Sequence, residues 1–165
     1  DLNSAPGSDK LKLRAVRLIN GGEVTSDVDI SKDLIIEIEF ENFDEGAEIL
    51  SAILLTDRVG ADVLASANMH SATMQDDPWF GRPHPVGRFR TRCVIPADTL
   101  NDDTYNLNVF LQTKINHIEA EVNGALTFAV HDTSEIRSEW TGKWRGVVRP
   151  KLAWNTEFLS ETALS

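Results

Sequence analysis

The sequence predicts an all-β fold, a sandwich or barrel of about eight strands. Three observations carry that expectation. Short runs of alternating apolar and polar residues recur along the chain. Clusters of Gly, Pro, Asn and Asp divide them at regular intervals. No segment shows the apolar spacing of an amphipathic helix, and no internal repeat points to a propeller or solenoid.

Residues 1–10, "DLNSAPGSDK", are polar, include Pro6 and Gly7, and read as a linker or disordered start. "LKLRAVRLIN" is a strand whose apolar phase changes from Leu11 and Leu13 to Val16 and Leu18, which predicts a bulge near Ala15. "NGGEVTSDVDISKD" is turn-rich. "DLIIEIEFEN" alternates cleanly, with Leu34, Ile36, Ile38 and Phe40 on one side and Glu37, Glu39 and Glu41 on the other. "AEILSAILLTD" is more continuously apolar, as a central strand is, and a turn at Gly60 separates it from "ADVLASANM".

Residues 71–87 are irregular and hold Trp79, Phe80 and His84 among three prolines. An ordered loop of that length is generally functional or packed against something. "RFRTRCVI" and "DTYNLNVFLQT" are two further strands joined by "PADTLNDD". A turn near "INHIEAEVNG" leads to the strand "ALTFAVHD". "TSEIRSEWTGKWRG" interrupts the alternation before a last strand, "VVRPKLAW". The sandwich thus spans residues 11–154 and leaves a tail at 155–165.

A chain of 165 residues holds one domain with a proper core. Its 41% hydrophobic and 25% charged content is that of an ordinary globular protein. A net charge of −10 repels a phosphate backbone and argues against nucleic acid as a partner. No apolar run approaches the roughly 20 residues of a membrane helix, and no signal segment opens the chain. A start at Asp1 rather than Met reads as a fragment or processed product. Cys93 is the single cysteine, so no internal disulfide forms; this fits a reducing compartment. Its alternation with Ile95 marks it as a buried structural thiol rather than a nucleophile.

Motifs for phosphate, dinucleotide, serine-hydrolase or zinc chemistry do not occur in the sequence. His70, His84, His117 and His131 are isolated from one another and read as surface or loop residues, not metal ligands. Asp57 and Asp62, and Asp102 with Asp103, suit calcium corners or β-turns; the turn reading is preferred because Asp bonds its own local backbone. Neither a cofactor nor an enzymatic activity is expected.

One strand has an unusual second face. Tyr105, Leu107, Val109 and Leu111 alternate with Asn106, Asn108, Phe110 and Gln112. Sugars are bound by planar polar groups that reach hydroxyls and by aromatic rings that cover the apolar C–H face of a pyranose. The second face supplies both. Arg88, Arg90 and Arg92 on the preceding strand would add fork-shaped donors if the two strands shared a sheet. Asn106, Asn108, Gln112 and Arg90 are the expected hydrogen-bonding residues and Phe110 the stacking ring, with Arg88 beside them. Trp79, Phe80 and His84 are further candidates that would close over a sugar end. A plain solvent face, or one covered by another subunit, is the alternative.

The order of motifs resembles the C-terminal carbohydrate-binding domain of Wzt-type ATPases, the nucleotide-binding subunits of bacterial O-antigen ABC transporters. The features that carry this are "LRAVRLINGGEV", "DLIIEIEFEN", "AILLTDRVGADVLASANM", "GRFRTRCVIPADTLNDDTYNLNVFL", "ALTFAVHD" and "GKWRGVVRPKLAW". They cover residues 11–154. One departure is Asp103, which stands where the family's G-x-Y motif has Gly; Asp also tolerates the turn.

The resemblance implies an immunoglobulin-like antiparallel β-sandwich that dimerises by exchanging its last strand, with "TSEIRSEWTGKWRG" as the hinge. It implies a non-catalytic module that binds finished O-antigen polysaccharide in the cytoplasm for export. Its partners would be a separate ATPase domain, a membrane permease and a second copy, with association to the inner membrane through the transporter. A structural protein–protein interaction domain with no glycan ligand is the competing reading.

Overall fold

A computed structural model of the chain describes residues 1–114, 117–132, 145–148, 152–154, 156, 157 and 159. Eleven strands follow in order: β1 (Leu11–Asn20), β2 (Glu23–Val24), β3 (Asp27–Asp29), β4 (Leu34–Asn42), β5 (Ala47–Glu48), β6 (Leu50–Asp57), β7 (Asp62–Ala67), β8 (Pro83–His84), β9 (Gly87–Ile95), β10 (Thr104–Lys114) and β11 (His117–His131). A single 3-10 turn at His70–Ala72 is the one helical element among the described residues. No helix among them is long and apolar enough to cross a membrane.

The strands form a sandwich. One sheet has the order β2-β1-β4-β9 and the other β3-β11-β10-β6-β7, with β5 and β8 as a small separate pair. Pairing is antiparallel within both large sheets except for β3, which runs parallel to β11. The chain changes sheet repeatedly, so strands consecutive in sequence are often not neighbours. Tyr105 gives the architecture a recognisable immunoglobulin-like feature: its buried hydroxyl donates to the Asn101 carbonyl at 2.7 Å, a tyrosine corner at the start of β10.

The core is built by alternation. Leu11, Leu13 and Leu18 of β1 and Leu34, Ile36, Ile38 and Phe40 of β4 face inward from one sheet. Ile53 and Leu55 of β6 and Tyr105, Leu107, Val109 and Leu111 of β10 meet them from the other. The bulge anticipated near Ala15 is present, as a register shift between Leu13 and Ala15.

One expectation changes. "INHIEAEVNG" is not mainly a turn: from His117 onward it belongs to the long strand β11, whose Ala120 and Val122 pair with Leu111 and Val109. The segment before β1 folds back on it, with Leu13 N donating to the Pro6 carbonyl at 2.8 Å. Gly7 permits this approach. Its φ is +137°, and a Cβ there would lie 2.0 Å from the Leu11 carbonyl oxygen.

The hinge expected at 133–146 lies outside the described residues apart from Arg145 and Gly146. So do residues 149–151 of the expected last strand and most of the tail. What is described there makes one bridge, Val148 against Leu100.

Candidate functional site

Residues of β10 alternate between a core face that is at most 1% exposed and an outer face that is half-buried. Asn106, Asn108, Phe110 and Gln112 all stand on that outer face. Because β10 is a central strand of the five-stranded sheet, strands flank it on both sides. Asn106 lies between Thr127 and Thr56, Phe110 between Glu121 and Ala52, and Gln112 between Ile118 and Leu50. Asn108 is opposite Leu54 on β6, which in turn pairs with Ala65 of β7. Small Ala52 and Ala67 continue outward from Phe110 in the same way. The ring therefore rises beside a low apolar lane, and no other ring packs on it among the described residues.

Two of the four residues carry structural duties. Asn106 Oδ1 accepts from Thr127 Oγ1 at 2.7 Å. Asn108 Oδ1 accepts from the backbone N–H of Gly124 at 2.7 Å, within an irregularity of β11 where the register shifts between Leu107 and Val109. The Nδ2 groups of both amides, and the whole amide of Gln112, make no hydrogen bond among the described residues. An outward array of donors beside a ring is thus present on one strand.

The arginines are elsewhere. β9 belongs to the opposite sheet, at its edge and paired with β4, so Arg88, Arg90 and Arg92 cannot join the β10 face. Register sets Arg92 opposite Glu37, Arg90 opposite Glu39 and Arg88 opposite Glu41. Arg90 donates to Glu39 Oε1 from Nη2 at 2.7 Å and from Nε at 3.0 Å. Arg92 Nε donates to Glu37 Oε2 at 2.8 Å, and Arg17 reaches Glu37 and Glu39, both at 3.1 Å. Glu41 is held by Arg14 and lies 3.9 Å from Arg88. Glu37 is 4% exposed, and the hydrogen bond from Arg92, aided by Arg90 and Arg17, holds its carboxyl below the usual range. The arginines form a charge ladder with the glutamates of β4.

His84 is also corrected. It is 2% exposed, with Nδ1 at 2.9 Å from the Arg82 carbonyl and 3.1 Å from that of Ala47. Its ring packs with Phe40, Phe89 and Trp79. An imidazole so enclosed closes one part of the core and offers a ligand no face. Trp79 remains 40% exposed on that cluster, and Phe80 stacks edge-on against His70. Asp57 acts as a turn residue, its Oδ1 accepting from the N–H of Val59 and of Ala61, while Asp103 Oδ1 accepts from the Thr104 N–H and lies 3.3 Å from Arg58.

Sequence reasoning missed the contribution of β6, β7 and β11 to the outer face. The usable signal was the apolar Leu54 and the alanines at 52, 65 and 67, which read only as central-strand residues. It also missed a cavity between the sheets, which no periodicity reveals. Cys93 lines it, and burial pushes its thiol pKa up, so the neutral thiol is favoured.

The fold is an immunoglobulin-like β-sandwich whose five-stranded sheet carries amides and a ring on the outer face of β10. No protein-family model matches the sequence, and no curated protein matches it by sequence. Among solved structures, the fold matches the C-terminal domain of Wzt with a TM-score of 0.66 at 11% identity, over 92% of this chain and 86% of that one. A Niemann-Pick type C2 protein from Japanese carpenter ant matches with a TM-score of 0.51 at 8% identity, over 78% of this chain and 98% of that one. Identities this low establish a shared fold.

Proposed function

We propose that the protein is a non-catalytic carbohydrate-binding module that reads bacterial O-antigen polysaccharide through the outer face of β10. The observation that carries this is the arrangement of Phe110 with Gln112, Asn108 and Asn106. A ring stands beside a low lane of alanines, in line with amide donors that no group among the described residues uses. The ring would cover the C–H face of one sugar, and the amides would bond hydroxyls along the strand. Trp79 is a second aromatic candidate, while Arg88, Arg90 and His84 are left to structural duties.

The likeness to the Wzt C-terminal domain supports the transporter setting: a separate ATPase domain, a membrane permease and a cytoplasmic location at the inner membrane. A homodimer formed through the C-terminal segment belongs to the same reading. Trp154 is 90% exposed and Leu152 is also exposed, which suits residues that a second copy covers.

Calorimetric titration with O-polysaccharides tests the site. Phe110→Ala and Gln112→Ala each weaken binding by about three- to tenfold, the range that one ring contact or one neutral hydrogen bond provides. Arg90→Ala leaves it unchanged. Full affinity in both face variants removes β10 from the site. A chain silent to every glycan but retained by a protein partner supports the interaction-domain reading instead.

A further inference from the structure

The edges of the two sheets meet around a cavity of about 380 Å³, between β9 and β4 on one side and β6 and β7 on the other. That volume is within the range of small-molecule sites. Ile38, Ile53 and Cys93 give it an apolar floor. Ser51, Ser66 and Thr91 also line it. Their hydroxyls make no hydrogen bond among the described residues, although Ser51 is only 7% exposed. Ser66 and Thr91 are half-buried, so these hydroxyls open onto the space rather than being sealed in the core, and can bond a ligand that enters it.

Charge narrows the occupant. Arg92 and Asp77 are the only ionised groups among the described residues of the lining. Arg92 is committed to Glu37 on the outer surface, and Asp77 accepts from the Trp79 N–H at 2.8 Å and lies 3.5 Å from Asn68 Nδ2. Arg92 is therefore already paired, and Asp77 would repel a bound anion. Residues 72–75 border the cavity from the loop side, and Met74 within them is fully exposed.

We propose that this inter-sheet cavity binds an uncharged amphiphilic small molecule, with an apolar body on Ile38, Ile53 and Cys93 and a hydroxyl or carbonyl group bonded to Ser51, Ser66 and Thr91. The site is separate from the β10 face and does not depend on the glycan reading.

Cys93 is the single cysteine of the chain and reports occupancy directly. The experiment follows alkylation of Cys93 by iodoacetamide in the intact chain while 1-octanol or octanoate is added. Octanol is expected to slow labelling along a saturable curve, and octanoate to act at least about tenfold more weakly, because Arg92 is already paired with Glu37 and Asp77 repels an anion. Ser66→Phe fills the space and abolishes the octanol dependence. Thr91→Val keeps the volume, removes one hydroxyl and weakens protection severalfold, which preserves the test should Ser66→Phe fail to fold. Phe110→Ala leaves protection unchanged. Labelling indifferent to octanol, protection that never saturates, equal protection by octanoate, or full protection in Thr91→Val would each overturn the proposal.

Discussion

Asn108 Oδ1 accepts a hydrogen bond from the backbone N–H of Gly124 at 2.7 Å, so a residue expected to face a ligand also fastens an irregular stretch of β11 to β10. Gly124 has φ +65°, a conformation natural to glycine. Side chain and backbone therefore specify this point of the outer face together.

Replacing Asn108 with Ala removes that bond and should cost about 1 kcal/mol in urea-induced unfolding. Gly124→Ala should cost a similar amount, about 1–2 kcal/mol, through its positive φ. The double variant should lose less than the sum, since both changes loosen the same contact. Strict additivity in the double-mutant cycle would show that the two residues act independently.

Tyr105→Phe removes the hydroxyl that bonds the Asn101 carbonyl but keeps the ring in the core. A loss of about 1 kcal/mol is expected, with an unchanged denaturant slope. A change in slope would mean that the corner governs more of the fold than its one hydrogen bond.

Glu37 gives stability a pH dependence of fixed sign. Arg92 bonding first, then Arg90 and Arg17, lower its pKa from the ordinary 4.5. The folded state consequently releases this proton more readily than the unfolded chain. The contribution is complete above pH 4.5 and is lost as pH falls through the lowered folded value. Urea midpoints measured from pH 7 to pH 3 should fall less steeply in Glu37→Gln than in the parent, and the parent's midpoint at pH 7 should drop in high salt. Identical pH profiles would place the acid sensitivity in other carboxylates.

Dimerisation is the fourth expectation. The chain should sediment as a dimer and become a monomer when residues 146–165 are deleted. Persistence of the dimer in the truncated chain would move the interface to another surface, such as the edge strand β9.

Much of the fold was legible because burial imposes its period on the sequence. β4 reads directly from Leu34, Ile36, Ile38 and Phe40, and β10 from Tyr105, Leu107, Val109 and Leu111. β11 was half missed because its irregular register breaks the alternation opposite Asn108. The association of β9 with β10 was misjudged for another reason. Consecutive strands are neighbours in most sheets, whereas here residues 96–103 carry the chain from one sheet to the other. Asp98 N–H donates to the Ile30 carbonyl and Ala97 N–H to Asp33 Oδ1, both at 2.8 Å, fixing that crossing. A signal for the true pairing was present: three glutamates at period two on β4 complement three arginines at period two on β9.

The sequence by itself determined which side of each strand is oily, because alternation within one strand is a local property that water enforces everywhere. It thereby placed Asn106, Asn108, Phe110 and Gln112 on a common outer face. Only the tertiary structure decided what else shares that face, since strand order depends on long-range crossings that leave no periodic trace. It set Ala52, Leu54 and Thr127 beside the amides, removed Arg88 and Arg90 to a ladder of glutamates, enclosed His84, and left a hydroxyl-lined space between the two sheets.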